Sequence, residues 1–154
     1  MEAARLPVVI HSGSAPDGGR FTAPGPIRAL LKRHPALPVV IAHMGAGEFG
    51  EYLEMAESWE NVFLDTTMVF VDPMALGEFP LPLLSRLEGI SHRILFGSDF
   101  PNIPYPLSHA VESVLALPLS GAAKRRILWE NGRALFGLQG AGVAAKATGP
   151  GTAG

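Results

Sequence analysis

Two histidines and two aspartates each end an apolar stretch of this sequence, and all four have side chains that bind metal ions or move protons. They are His11, His43, Asp65 and Asp99. Imidazole and carboxylate groups are common ligands of divalent metal ions. Imidazole also changes its charge near neutral pH, where it can act as a general acid or base. The residue types therefore predict a metal site or an acid–base site, provided that the fold brings them together.

The apolar stretches before these residues are typical of strands that are buried on both faces of a parallel sheet. They cover residues 6–10, 38–42, 61–64 and 93–98. Ligands bind to such sheets beyond the carboxyl ends of the strands. The two imidazoles and at least one carboxylate are therefore expected at one rim of the sheet.

Segments with helical periodicity separate the predicted strands. Apolar residues recur every three or four positions within residues 26–34, 49–57, 83–89 and 107–115, as one-sided helices require. Ser120 is expected to cap a last helix, and Asn131 to cap the short turn that leads to Phe136. The strand ends are 22 to 34 residues apart, which suits right-handed βαβ units. The predicted fold class is α/β.

Composition excludes several classes of function. Of the 154 residues, 47% are hydrophobic and 17% are charged, which is typical of a globular domain. The net charge is −2, so a nucleic-acid partner is not expected, and no apolar run is long enough to span a membrane. The absence of cysteine excludes disulfides and thiolate metal sites. We expect a soluble, cytoplasmic protein with one domain over residues 1–138 and a disordered, Gly- and Ala-rich tail over residues 139–154.

Four motifs, taken in order, resemble the second half of the amidohydrolase-related family. They are Val-Ile-His-Ser-Gly at 9–13, Ile-Ala-His-Met-Gly at 41–45, Asn-Val-Phe-Leu-Asp-Thr at 61–66 and Ile-Leu-Phe-Gly-Ser-Asp-Phe-Pro at 94–101. The segment 127–138 resembles the usual ending of that family. Its members are metal-dependent (β/α)₈ barrels of the TIM type that include hydrolases and aromatic-acid decarboxylases. The resemblance implies a (β/α) half-barrel that corresponds to strands five to eight.

The resemblance also implies roles for the matching residues. His11 would bind the metal ion, and Asp99 would bind it and also handle a proton. His43 would polarise the substrate, act as general acid or base, or bind a second metal ion. Zinc is the expected ion, with manganese or iron as alternatives. The implied reaction is either hydrolysis of an amide, ester or lactone, or non-oxidative decarboxylation of a small carboxylic acid, because both kinds of enzyme share these motifs.

Four further residues are candidates for contact with a small-molecule substrate: Arg20, Phe21, Asp65 and Phe100. The first two lie on the Gly- and Pro-rich loop 12–26, which could cover the site or serve as an ordinary connector. Asp65 has an alternative interpretation as a residue that braces the loop after its strand.

The sequence also departs from the family, because it contains no His-x-His pair. In the family this pair ends strand one and supplies two more metal ligands. Strands one to four have no counterpart here, and a four-stranded half would expose its edges. We therefore interpret the sequence as a partial chain that forms a homo-oligomer or associates with a missing N-terminal half. The alternative is a non-catalytic half-barrel that has lost its metal site and acts through association with itself or a partner.

Overall fold

Strands and helices alternate along the chain in the computed structural model, which describes residues 1–16, 18–71 and 78–138. The strands are β1 (Val8–His11), β2 (Val39–Ala42), β3 (Val62–Asp65) and β4 (Ile94–Leu95). The helices are α1 (Pro24–Arg33), α2 (Phe49–Ser58), α3 (Leu84–Gly89), α4 (Leu107–Ala116), α5 (Gly121–Arg125) and α6 (Asn131–Leu135). A π-helical turn (Arg126–Glu130) joins the last two helices, and short 3₁₀ turns occupy Glu2–Ala4, His43–Gly45, Leu81–Leu83 and Ser91–Arg93.

Within the described ranges, the four strands form one parallel sheet in the order β1-β2-β3-β4. Val39 lies opposite Val8 on one side and Val62 on the other, and Leu64 lies opposite Ile94. Each strand thus pairs in parallel with the next one in the chain, as consecutive βαβ units require. The predicted α/β class and strand order are confirmed, and all four carboxyl ends meet at one rim.

One face of the sheet packs against the helices. Leu31 of α1, Leu53 of α2 and Leu87 of α3 are each at most 1% exposed. They belong to the same apolar cluster as Ile41 of β2 and Leu64 of β3. Burying a leucine side chain of this kind stabilises the fold by about 1.5–3 kcal/mol, so this layer fixes the positions from which the strand ends project.

The opposite face of β1 is open. Val9 is 57% exposed and His11 is also exposed, whereas Val8 and Ile10 are partly buried. Successive residues of a strand face opposite sides of the sheet, so Val9 and His11 share the open face. Strands β1 and β4 are the two edges of the sheet.

The fourth strand is shorter than the predicted stretch of 93–98, because backbone groups beyond Leu95 bond to other partners. The backbone N–H of Phe96 donates to the carbonyl of Ile127 at 2.9 Å. The N–H of Gly97 donates to the Thr66 hydroxyl at 3.3 Å. The chain therefore leaves the sheet before it reaches Asp99.

The two predicted caps near the C-terminal helices have different outcomes. The Ser120 hydroxyl accepts from the backbone N–H of Ala123 at 3.1 Å, which confirms Ser120 as an N-cap. The prediction for Asn131 is wrong, because its side-chain amide donates to the carbonyls of Ser91 at 2.7 Å and Ile94 at 2.6 Å. Asn131 thus joins the start of α6, through hydrogen bonds, to the turn that precedes β4 and to β4 itself.

Two other sequence-based expectations concern the C-terminal tail and membrane-spanning helices. The tail predicted over residues 139–154 lies outside the described residues. In the part of the chain that is described, none of the helices has both the length and the apolar character that a membrane crossing requires.

Candidate functional site

Two imidazoles meet at the carboxyl ends of the first two strands. His11 is the last residue of β1, and His43 directly follows β2. Their ring centroids are 5.0 Å apart and the rings are nearly edge to face. His11 is exposed, whereas His43 is only 8% exposed. The parallel register of β1 and β2 thus produces the pairing that the spacing of the sequence predicts.

His43 is held by the loop that follows β3. Its backbone has a φ of 56°, an uncommon conformation for a residue with a side chain. The Asp65 carboxylate oxygen Oδ1 accepts from the backbone N–H of His43 at 3.0 Å and from that of Thr67 at 3.0 Å. The His43 ring nitrogen Nδ1 lies 3.1 Å from the carbonyl oxygen of Thr67. Asp65 is therefore a buried brace in this structure, which matches the second of its two predicted roles.

Asp99 lies on the segment after β4 and has a φ of 57°. Its side chain is exposed, and the neighbouring Phe100 is 67% exposed. The backbone N–H of Phe100 donates to the Ser98 hydroxyl at 3.2 Å, and that of Asn102 donates to the Asp99 carbonyl at 2.8 Å. A tight turn therefore presents Asp99 and Phe100 on the surface at the end of the fourth strand.

Tyr105 lies near Asp99 and was not singled out by the sequence. Burial raises the pKa of its phenol, and the negative charge of Asp99 raises that pKa further. Among the described residues, the Tyr105 hydroxyl is a buried side-chain polar atom without a hydrogen-bond partner. Its ring contacts that of His109 with 5.6 Å between centroids. A tyrosine in a loop carries no pattern that would have identified it in advance.

The loop after β1 is fastened to α2 at its beginning and its end. The Ser12 hydroxyl, 1% exposed, forms a short hydrogen bond with the phenol of Tyr52, and both groups contact the carbonyl oxygen of Thr22. Gly13 has a φ of 119°, and a Cβ there would lie 2.4 Å from the carbonyl oxygen of Ala46. Only glycine fits that close approach between the loops after β1 and β2.

The outer part of the same loop carries Arg20 and Phe21. The Arg20 guanidinium carbon lies 4.5 Å from the centroid of the Phe21 ring, which is cation–π geometry. Phe21 is 75% exposed, and Arg20 is exposed as well. The two predicted substrate contacts thus form one exposed pair on the loop, in contact with each other.

The donor types at the rim fit a divalent metal ion, but their number is too small. Within residues 1–16, 18–71 and 78–138, no group of three or more His, Asp or Glu side chains is arranged to hold a metal ion. Catalytic zinc sites usually have three protein ligands. The described residues therefore provide part of a coordination shell at most.

An open groove lies at the other end of the strands. It has a volume of about 600 Å³, and its lining includes Arg5, Trp59, Asn61 and Phe63. Asn61 directly precedes β3 and Arg5 lies before β1. In sheets of this kind the amino ends of the strands serve stability, whereas chemistry takes place at the carboxyl ends. The groove is therefore separate from the pair of imidazoles.

The family model described as amidohydrolase matches residues 1–138 of the chain. A search of curated proteins finds no significant match. An uncharacterised TIM-barrel protein from Bordetella bronchiseptica is similar in structure, with 25% sequence identity and a TM-score of 0.73 over 88% of this chain and 47% of that one.

Two further solved structures, both below 25% identity, support the fold alone. One is a dihydroxybenzoic acid decarboxylase from Polaromonas sp. JS666 with bound manganese (20% identity, TM-score 0.57, 89% of this chain and 51% of that one). The other is an amidohydrolase from Burkholderia multivorans with bound zinc (18% identity, TM-score 0.53, 73% of this chain and 48% of that one). The present chain thus spans about half the length of the solved structures that it resembles.

Proposed function

Because the chain belongs to the amidohydrolase family, we propose that it forms half of a metal-dependent active site that acts on a small organic substrate. The reaction is hydrolysis of an amide, ester or lactone, or non-oxidative decarboxylation of a small carboxylic acid. One similar structure is a decarboxylase with bound manganese and another is an amidohydrolase with bound zinc, so both reaction types stay open. The proposed cellular compartment is the cytoplasm.

The observation that carries this proposal is the contact between His11 and His43. Two imidazoles from neighbouring strands lie 5.0 Å apart between ring centroids at the rim where parallel sheets bind ligands. Asp99 follows the fourth strand at the same rim. A side chain that only stabilised the sheet would not need to be an imidazole at both positions.

The residues divide into metal ligands and a proton carrier. His11 and Asp99 are the proposed ligands, with zinc as the preferred ion and manganese or iron as alternatives. A divalent ion so bound would act as a Lewis acid and lower the pKa of a coordinated water molecule. His43 would take a proton from, or return it to, the substrate or the catalytic water. Arg20, Phe21 and Phe100 are proposed to face the substrate from the surrounding loops, and a direct contact of Asp65 with the substrate stays a prediction.

The open face of β1 indicates what completes the site. Val9 is 57% exposed beside His11, and β1 and β4 are edges of the sheet. A second half with four further strands would pair with both edges, close the barrel and add metal ligands to the rim. We propose that a second copy of the chain or a separate N-terminal half occupies this face.

A non-catalytic role is the second candidate function. The observation in its favour is that the described residues contain no three-ligand metal group. In that case the half-barrel would act only through the association that its open face permits.

Metal binding by the full 154-residue chain distinguishes the two functions. Equilibrium dialysis against Zn²⁺ or Mn²⁺ is expected to show a bound ion in the wild type and at least about tenfold weaker binding in His11→Ala and Asp99→Ala. His92→Ala is the matched control, since exposed His92 lies in the turn before β4, at the opposite end of the strands. If the wild type is a folded oligomer without bound metal, and Asp99→Ala changes neither its folding nor its oligomeric state, an enzymatic function of this chain by itself is refuted.

A further inference from the structure

The loop after β3 holds the imidazole ring of His43 in one orientation. His43, Asp65 and Thr67 are all buried, with exposures of 8%, 8% and 5%. A buried carboxylate is costly unless its oxygens accept hydrogen bonds. The Asp65 carboxylate meets this requirement by accepting from two backbone N–H groups, one just after β2 and one just after β3.

The hydrogen bond from the His43 ring determines which nitrogen carries the proton. Nδ1 lies 3.1 Å from the carbonyl oxygen of Thr67, and a carbonyl oxygen can only accept. In the neutral ring Nδ1 must therefore be the donor, and Nε2 keeps its lone pair. A histidine free in water favours the opposite arrangement, with the proton on Nε2, so this state needs support from its surroundings.

The same carboxylate oxygen places both partners of that bond. Oδ1 of Asp65 is 3.0 Å from the backbone nitrogen of His43 and 3.0 Å from that of Thr67. It thereby sets the separation between the imidazole and the Thr67 carbonyl. It also stabilises the unusual φ of 56° at His43, which a backbone without such an acceptor would leave readily.

Gly97, two residues after β4, packs against this arrangement. A Cβ at this position would lie 2.1 Å from the Thr67 hydroxyl oxygen and 2.9 Å from the Asp65 carboxyl carbon. The segment that leads to Asp99 therefore packs directly on the residues that hold His43. Glycine in strands often marks a site where another backbone approaches closely, and Gly97 has the same role just beyond β4.

We infer that Asp65 is a positioning residue that, through Thr67, fixes His43 as the Nδ1-protonated tautomer and leaves Nε2 free to accept a proton or a metal ion. The use made of Nε2 rests on the proposed function. The tautomer itself does not, because only residues of this chain determine it.

Nuclear magnetic resonance of the metal-free, full-length chain with ¹⁵N-labelled histidine tests the inference. Long-range proton–nitrogen spectra, recorded at alkaline pH, distinguish a protonated from an unprotonated ring nitrogen. The signals of His43 are those that disappear in His43→Gln. In the wild type we expect a protonated Nδ1 and an unprotonated Nε2.

Three variants separate positioning from a general effect on the fold. Asp65→Ala is expected to lose the Nδ1-protonated signature, with Nε2–H becoming the major form. Asp65→Asn keeps an acceptor oxygen of the same reach and is expected to keep the wild-type tautomer. Glu88→Ala is the matched control, because it removes another carboxylate that accepts from a backbone N–H, that of Ser120 at 2.9 Å, and should leave His43 unchanged.

A wild-type His43 with its proton on Nε2 would overturn the inference, whether or not Asp65→Ala folds. A folded Asp65→Ala with an unchanged tautomer would overturn it too. Because the readout needs neither metal nor turnover, failure of the metal-binding test leaves this result standing. An Nε2-protonated wild type that still bound metal would refute only the inference.

Discussion

The hydroxyl groups of Ser12 and Tyr52 share a buried hydrogen bond between the loop after β1 and helix α2. Both also contact the carbonyl oxygen of Thr22, at 2.8 Å and 3.1 Å. Burial raises the pKa of the Tyr52 phenol, and the bond to Ser12 opposes that rise. The phenol is thus neutral at physiological pH and joins the two ends of the loop to the helix.

Tyr52→Phe is expected to lower the free energy of unfolding by about 1–3 kcal/mol, because buried hydrogen-bonding groups lose their partner. Urea denaturation of the wild type and the variant measures this difference. A loss below about 0.5 kcal/mol, the usual range for surface substitutions, would contradict the role given to the phenol.

Tyr105→Phe, a change of the second of the two tyrosines, is expected to have the opposite result. The Tyr105 hydroxyl is buried without a partner among the described residues, while its ring packs against His109. Removing an unpaired buried hydroxyl is neutral or stabilising by up to about 1 kcal/mol. Urea denaturation of the wild type and the variant measures this difference. A loss of unfolding free energy above about 1 kcal/mol would mean that the hydroxyl is hydrogen-bonded in solution.

Gly97→Ala is expected to destabilise the chain by about 1–3 kcal/mol, since an added methyl group must displace Thr67 or Asp65. Gly89→Ala provides the control, because nothing lies within 4 Å of a Cβ at that helical position. The control should be neutral or gain about 0.4–1 kcal/mol by restricting the unfolded chain. Thermal unfolding of both variants measures these changes in stability. An equal change in Gly97→Ala and Gly89→Ala would contradict the close approach at Gly97.

Stability is expected to fall in acid partly because of Glu57. Two hydrogen bonds from Arg86, at 2.9 Å and 2.7 Å, lower the pKa of this carboxyl group. A lowered pKa stabilises the folded state above the unfolded glutamate value of about 4.3, and this contribution disappears as the pH falls through the folded value.

Glu57→Gln should therefore flatten the decline of unfolding free energy below about pH 4.3. The pair is about one-third exposed, so its contribution at neutral pH is under about 1 kcal/mol. Urea titrations at a series of pH values measure the slope, and an unchanged slope in the variant would contradict the assignment.

The sequence predicted the elements of the fold well because their signals are local. Apolar runs and helical periodicity identified β1, β2, β3 and the helices, and the Ser120 cap was also foreseen. The end of β4 was not predicted, because the backbone N–H of Phe96 donates to the carbonyl of Ile127. That partner is 31 residues away, and no local pattern reveals it.

The candidate site was predictable in its residues but not in its connections. The strand-end pattern identified His11 and His43, and parallel pairing brings their rings together. The brace from Asp65 to the backbone of His43 depends on a left-handed φ at a residue that is not glycine. Such a conformation arises only from the surrounding tertiary structure, so neither the side-chain type nor the spacing of the residues predicts it.

That left-handed backbone recurs at two of the three residues proposed to carry the chemistry, with a φ of 56° at His43 and 57° at Asp99. Glycine adopts this conformation freely and asparagine and aspartate do so occasionally, whereas histidine is held there at a greater cost in stability. Selection for thermal resistance alone would therefore favour glycine or asparagine over the native histidine at position 43. In a library varied at position 43 and screened only for heat tolerance, the gain in thermal stability of the selected variants would show how much stability the chain forgoes to keep the imidazole.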